Sequence, residues 1–227
     1  MGILSTLQYV LSIEKWIAEI VSSRIVKRIF ALYSVHMKHT KEADIIQKGG
    51  VGILPTDTLY GIVGSAFNPD AVHRIETLKG DNDKRKGFIV LISSIADLGL
   101  FGVQLTTTQK EIKHKLWPGP FSILLPIDQK RFAHITHTHS IAFRIPTDTW
   151  LRDFLTLSGP VIAPSANPTA QKPAESISEA QAYFGDGVDF YIDGGVRTGK
   201  ASTLLEVDAG GNIQIHRMGP VDPYGLI

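Results

Sequence analysis

The chain has 227 residues, 43% hydrophobic and 20% charged, and Lys+Arg 23 against Asp+Glu 22 leaves a formal charge of +1. This suits one globular domain, and the near-neutral balance excludes a global basic field, so nucleic-acid binding would need a local patch. Zero cysteines exclude disulfides, thiolate zinc sites and thiol nucleophiles, and fit a reducing compartment.

Residues 1–36 differ from the rest. Leu7, Val10, Leu11, Ile17, Ile20, Val21, Ile25 and Ile29 recur at helical spacing, with Glu14, Lys15, Glu19, Arg24, Lys27 and Arg28 between them. They read as an amphipathic helical extension to a catalytic domain over 37–227. Met37 would serve as a start by itself, so 1–36 is either an appendage or a mis-chosen start. Glu14 and Glu19 interrupt the apolar character and no basic leader precedes it, unlike a secretory signal. The longest charge-free run, Phe154 to Gln171, contains three prolines, unlike a membrane-spanning helix. The expected location is the cytoplasm.

From Lys41 helices and apolar strands alternate. A helix over 41–48 precedes a strand at 51–55, and a helix at 70–79 follows the capping sequence Asn68-Pro69-Asp70. A strand at 88–92 is followed by helices near 94–101 and 107–116 and by strands at 121–126 and 140–145. A helix at 148–157, a strand at 161–163, a helix at 177–184, a strand at 190–192 and strands at 203–207 and 213–216 complete the order. The alternation predicts a layered α/β fold, and the last two strands, with no helix between them, predict a mixed sheet.

Three loops, each following a strand-like run, are rich in Pro, Gly, Ser, Thr and Asn: 55–61, 164–170 and 194–203. Small residues let a ligand approach backbone donors, which suits phosphate and carboxylate, although none of the loops is a Walker A or GxGxxG pattern. Asp57, in the first, either caps a turn or reaches a metal ion through water. The stretch Lys79 to Lys86 carries four basic and two acidic side chains. It is either a solvated helix end or a source of phosphate ligands through Lys79 and Arg85. Arg144 lies within Ile141-Ala142-Phe143-Arg144-Ile145-Pro146, where an arginine alternating with apolar positions must meet an anion or leave the core. His134, His137 and His139 have no carboxylates or cysteines at ligand spacing and read as a polar loop, so no protein metal site is expected. Trp117 reads as a core anchor at a turn.

The ordered set PTDTLYG (55–61), WPGPFS (117–122), IAFRIP (141–146), PSAN (164–167), ASTLLEVD (201–208) and IHRMGP (215–220) resembles the YrdC/TsaC family over residues 41–220. The resemblance implies a twisted mixed α/β sheet with flanking helices around a concave basic cavity. It also implies an L-threonylcarbamoyladenylate synthase, which combines L-threonine, bicarbonate and ATP and releases pyrophosphate on the way to N6-threonylcarbamoyladenosine in tRNA. Mg²⁺ would arrive with ATP.

By the same match, Lys79, Ser165 and Asn167 are catalytic. ATP is held by these three together with Arg85, Thr136 and Arg217, and threonine by Thr56, Arg144 and Ser202. The family's K-x-R pair is met at Lys79, but its second position holds Asp81, and Arg85 or Lys84 would supply the charge. Ser122 stands where the family usually has Thr, and Thr169-Ala170 where it has Ser-Gly. The chain ends soon after the final motif, so transfer to tRNA is expected to depend on partner proteins. Two other readings stay open: an RNA-binding module that binds tRNA or double-stranded RNA without catalysis, and a hydrolase or carbamoyltransferase on the same fold.

Overall fold

The computed structural model describes residues 39–80 and 87–227. The helix expected within 1–36 and the side chains of Asp81, Lys84 and Arg85 lie outside the described residues.

The strand α-helix order begins with α1 (Thr40–Gln47), β1 (Val51–Pro55), β2 (Tyr60–Ser65), α2 (Pro69–Lys79) and β3 (Ile89–Leu91). It continues through α3 (Thr107–Leu116), β4 (Phe121–Pro126), β5 (Ser140–Arg144), α4 (Thr149–Ser158), β6 (Val161–Ile162), α5 (Ile177–Phe184), β7 (Phe190–Tyr191), β8 (Thr203–Val207) and β9 (Ile213–Arg217). Among the described residues every element read from the sequence has a counterpart within two residues of its expected bounds. One further strand was absent from the reading: β2, whose short Ile62-Val63 run is flanked by Gly61 and Gly64 and therefore lacks a strand's pattern. The segment expected as a helix near 94–101 is a 3₁₀ helix, Ile95–Phe101. Gly102, in the left-handed region at φ 73°, ends it.

Local chemistry explains α2. Asn68 Oδ1 accepts from the backbone N–H groups of Asp70 and Ala71, Pro69 occupies the first turn, and Gly80 terminates the helix at φ 63°. This delivers Lys79 to the last turn, where its side chain is buried.

The strands form one nine-stranded sheet, in the order β7-β1-β2-β6-β3-β5-β4-β8-β9. β1–β7, β3–β5 and β4–β8 are parallel and the other neighbours antiparallel. The sheet is therefore mixed throughout, rather than only at its end. Side chains alternate between its faces. On one face Phe143, Ile123, Leu125 and Leu205 join a core covered by α2, α3 and α5. Over β1 and β2 the other face carries Leu54 and Val63, packed under α1 and α4. Over β5, β4 and β8 that second face presents Ala142, Arg144, Leu124 and Leu204, and among the described residues no helix covers them there. They floor a cavity instead.

No helix among the described residues is long and apolar enough to cross a membrane. Trp117 is an anchor as expected: it is buried, and its Nε1 donates to the Phe121 carbonyl at 2.7 Å.

Candidate active site

The cavity has a volume of about 630 Å³, within the range of small-ligand sites. Its described lining includes Lys79, Arg144 and Arg217 and no carboxylate. Three cations on a wall whose described residues carry no carboxylate suit an anionic ligand. Every described residue of the predicted site lies on this wall: Thr56, Lys79, Thr136, Arg144, Ser165, Asn167, Ser202 and Arg217. Arg85 is outside the described residues.

Strand pairing explains the convergence. β1 and β2 form a hairpin whose last pair is Pro55 with Tyr60, so residues 56–59 make its tip. The Pro164–Asn167 loop prolongs β6 along the start of β2, with Ile62 N donating to Pro164 O and Ala166 N to Tyr60 O. The parallel pairing of Phe121 with Thr203 brings Ser202 next to Ser122. Arg144 ends β5.

Arg144 meets its anion inside the protein. Asp57 Oδ1 lies 2.9 Å from Arg144 Nη2, and both side chains are at least 95% buried. This is a charge contact whose N–H is not aimed at the oxygen, because Asp57 Oδ1 has no hydrogen-bond partner. Asp57 Oδ2 accepts from the backbone N–H and the hydroxyl of Thr147 at 3.1 Å each. Of the two readings of Asp57, a turn cap or a metal contact through water, neither describes its place here: it is absent from the cavity wall and backs Arg144. Burial lowers the Arg144 pKa, Asp57 opposes that effect, and the nearby Arg217 adds to it.

Proton accounting refines the hydroxyls. Thr56 Oγ1 donates to Leu59 O at 2.7 Å, so its only hydrogen is committed. It accepts from the N–H groups of Thr58 and Leu59. Thr58 must therefore be the donor in the 3.1 Å contact between the two hydroxyls, and it accepts from Arg144 Nη1 at 3.0 Å. Thr56 thus reaches the cavity with its hydroxyl saturated by its own turn. Thr58, absent from the predicted site, supplies the hydroxyl that hydrogen-bonds the guanidinium. Its only sequence signal is its place two positions beyond Thr56 in the hairpin tip.

The same reasoning applies elsewhere. Thr138 Oγ1 donates to Ser140 O, so Thr136 is the donor in its 2.9 Å contact with Thr138. Ser165 Oγ donates to Asn167 Oδ1 at 2.6 Å, and Asn167 Nδ2 donates to the carbonyls of Pro168 and Gln171. Lys79 Nζ donates to the carbonyls of Ser165 and Asn167 at 2.6 and 2.7 Å. Lys79 thus shapes the Ser165–Asn167 loop from the cavity wall.

Ser122 and Ser202 are fully buried and their hydroxyls are 2.8 Å apart. Ser122 lies off the cavity wall, so a hydrogen on Ser122 directed at Ser202 leaves Ser202 free to donate into the cavity. Arg217 holds the Ser202 carbonyl through Nε and Nη2 at 3.3 and 2.9 Å.

Among the described residues no group of three or more His, Cys, Asp or Glu side chains could hold a metal ion. His134 Nε2 contacts the Ala66 carbonyl at 2.9 Å.

Residues 44–219 match the family model Sua5/YciO/YrdC, described as telomere recombination. The chain belongs to the Sua5/YciO/YrdC family. The threonylcarbamoyl-AMP synthase of Pseudomonas aeruginosa is 30% identical over 164 residues, 72% of this chain and 88% of that protein. The synthase of Hahella chejuensis is 30% identical over 68% of this chain and 84% of its own length. Among solved structures, a double variant of P. abyssi Sua5 superposes with a TM-score of 0.75 at 27% identity, covering 81% of this chain and 57% of that one. P. abyssi Sua5 complexed with L-threonine superposes with a TM-score of 0.72 at 26% identity. The chain spans 54% of that protein's length. E. coli YciO, at 20% identity and a TM-score of 0.72, shares the fold.

Proposed function

We propose that this protein is an L-threonylcarbamoyladenylate synthase, which forms L-threonylcarbamoyl-AMP and pyrophosphate from L-threonine, bicarbonate and ATP for threonylcarbamoyladenosine in tRNA. The observation that carries the reading is the convergence of Arg144, Arg217, Lys79 and Ser202 on one wall whose described residues include no carboxylate. The names of the bacterial synthases, and the L-threonine complex of Sua5, support it from outside the chain.

The threonine nitrogen adds to the bicarbonate carbon, and water leaves to give a carbamate. A carbamate oxygen then attacks the α-phosphorus of ATP in line as the bond to pyrophosphate breaks. An ionised carbamate needs no general base, so the protein's task is to position the reactants and stabilise phosphate charge. Arg144 pairs with the threonine carboxylate and Ser202 donates to the amino acid. The Ser165–Asn167 loop, held by Lys79, and Arg217 face the nucleotide. Mg²⁺ enters as the MgATP substrate.

The test is pyrophosphate release by the purified protein. Release should require ATP, L-threonine and bicarbonate together, and Arg144→Met should lower it at least a hundredfold at subsaturating threonine. Release that ignores threonine, or none in a preparation that is folded, would overturn the assignment.

A further inference from the structure

Arg144 cannot bind a ligand carboxylate reproducibly unless something sets its guanidinium, because a long side chain on an open sheet face has many rotamers. Two neighbours set it. Asp57 lies against Nη2, and Thr58 Oγ1 accepts from Nη1. Nε is buried and has no hydrogen-bond partner among the described residues.

Thr58 differs from Asp57 in one respect. Its hydroxyl can accept from Arg144 only because its own hydrogen is directed elsewhere, onto Thr56 Oγ1, whose hydrogen is in turn on Leu59 O. The polarity of the chain from Arg144 through Thr58 and Thr56 to the Leu59 carbonyl is therefore fixed from the backbone end. Thr58 is buried and lines the cavity beside Arg144, and its carbonyl is so closely approached by Gly199 that a Cβ there would clash with it.

We infer that Thr58 is a positioning residue for amino-acid recognition: its hydroxyl holds the Arg144 guanidinium in one orientation at the cavity wall, where the substrate carboxylate meets it. The inference rests on the proposed reading that Arg144 binds the threonine carboxylate. It makes the hairpin tip a specificity element that distinguishes a free carboxylate from a neutral end group.

Thr58→Val keeps the shape and removes the acceptor, whereas Thr58→Ser keeps the acceptor. Pyrophosphate release by the full chain is measured against L-threonine and against ATP. Calorimetric titrations use L-threonine and L-threoninol, which lacks the carboxylate. Thr58→Val should raise the threonine KM at least tenfold and leave the ATP KM within twofold. It should weaken L-threonine binding at least tenfold while L-threoninol binding stays within twofold, and Thr58→Ser should restore L-threonine binding to within threefold of wild type.

A purely structural role would weaken both ligands alike, or lower the melting temperature without separating them, and would overturn the inference. So would a Thr58→Val protein whose threonine KM stays within twofold of wild type. If Thr58→Val does not fold, Thr58→Ala, which adds no apolar bulk, takes the same titrations with the same two outcomes. Wild-type protein that releases no pyrophosphate with threonine instead overturns the functional reading, and the wild-type control separates that failure from failure of the Thr58 inference.

Discussion

The ammonium of Lys79 lies 2.6 Å from the carbonyl oxygen of Ser165, which ties the end of α2 to the loop that enters the cavity after β6. A second bond to the Asn167 carbonyl and the donation of Thr169 N to Lys79 O complete the tie. Lys79→Met should therefore reduce stability as well as activity. Charge-assisted bonds of this kind contribute about 1.5–3 kcal/mol each, and leaving two buried carbonyls without their donor should cost at least about 2 kcal/mol. Urea unfolding beside the pyrophosphate assay checks this. A lysine serving only phosphate would lose turnover with an unchanged midpoint.

Ser122 should act through Ser202. Ser122→Ala removes the hydrogen bond that orients the Ser202 hydroxyl, and one neutral hydrogen bond is worth about 1 kcal/mol. The threonine KM should rise about fivefold with the ATP KM unchanged, and steady-state kinetics against each substrate reads the difference.

The strap from Asp193 to Ser202 has little space beneath it. Tyr60 Oη accepts from Gly194 N at 2.9 Å and donates to Gly195 O at 2.8 Å, and a Cβ on Gly199 would meet the Thr58 carbonyl. Gly199→Ala should destabilise the protein by about 1–3 kcal/mol, as overpacking does, and raise the threonine KM. Gly225→Ala, with nothing within 4 Å of its Cβ, should change neither. Thermal unfolding of the two variants side by side is the measurement.

Lys113 on α3 is fully buried, its Nζ has no hydrogen-bond partner, and burial lowers its pKa from 10.5 to about 8. Between about pH 8 and 10.5 the unfolded chain holds a proton there that the folded chain does not, so this group makes stability rise with pH. Below pH 8 its penalty is complete, on the order of 2 kcal/mol once solvent screening is allowed for. Lys113→Met should raise the unfolding midpoint at pH 7 and remove this contribution between pH 8 and 10.5. Denaturant titrations across the window test both.

The order of elements was legible because it is written locally. The Asn68-Pro69 cap, the apolar runs of β4 and β5 and the Trp117 turn each depend on neighbours within a few residues. β2 was not legible, since its two glycines erase the strand pattern and it is held by pairing with β1 and β6. The motif loops pointed to the cavity, and the described members of the predicted site meet there.

The sequence by itself determined which chemistry was available: cations, hydroxyls and small residues in loops beside strands, with no thiol. Tertiary structure alone decided how that chemistry is allocated. Asp57 was drawn to Arg144, Lys79 was drawn to the carbonyls of the Ser165–Asn167 loop, and Thr58 took a contact with Arg144 while Thr56 closed its own turn. A hydroxyl has one hydrogen and a buried guanidinium needs an anion. Which partner satisfies each depends on residues about 90 positions apart, such as Thr58 and Arg144, that meet only when the sheet forms.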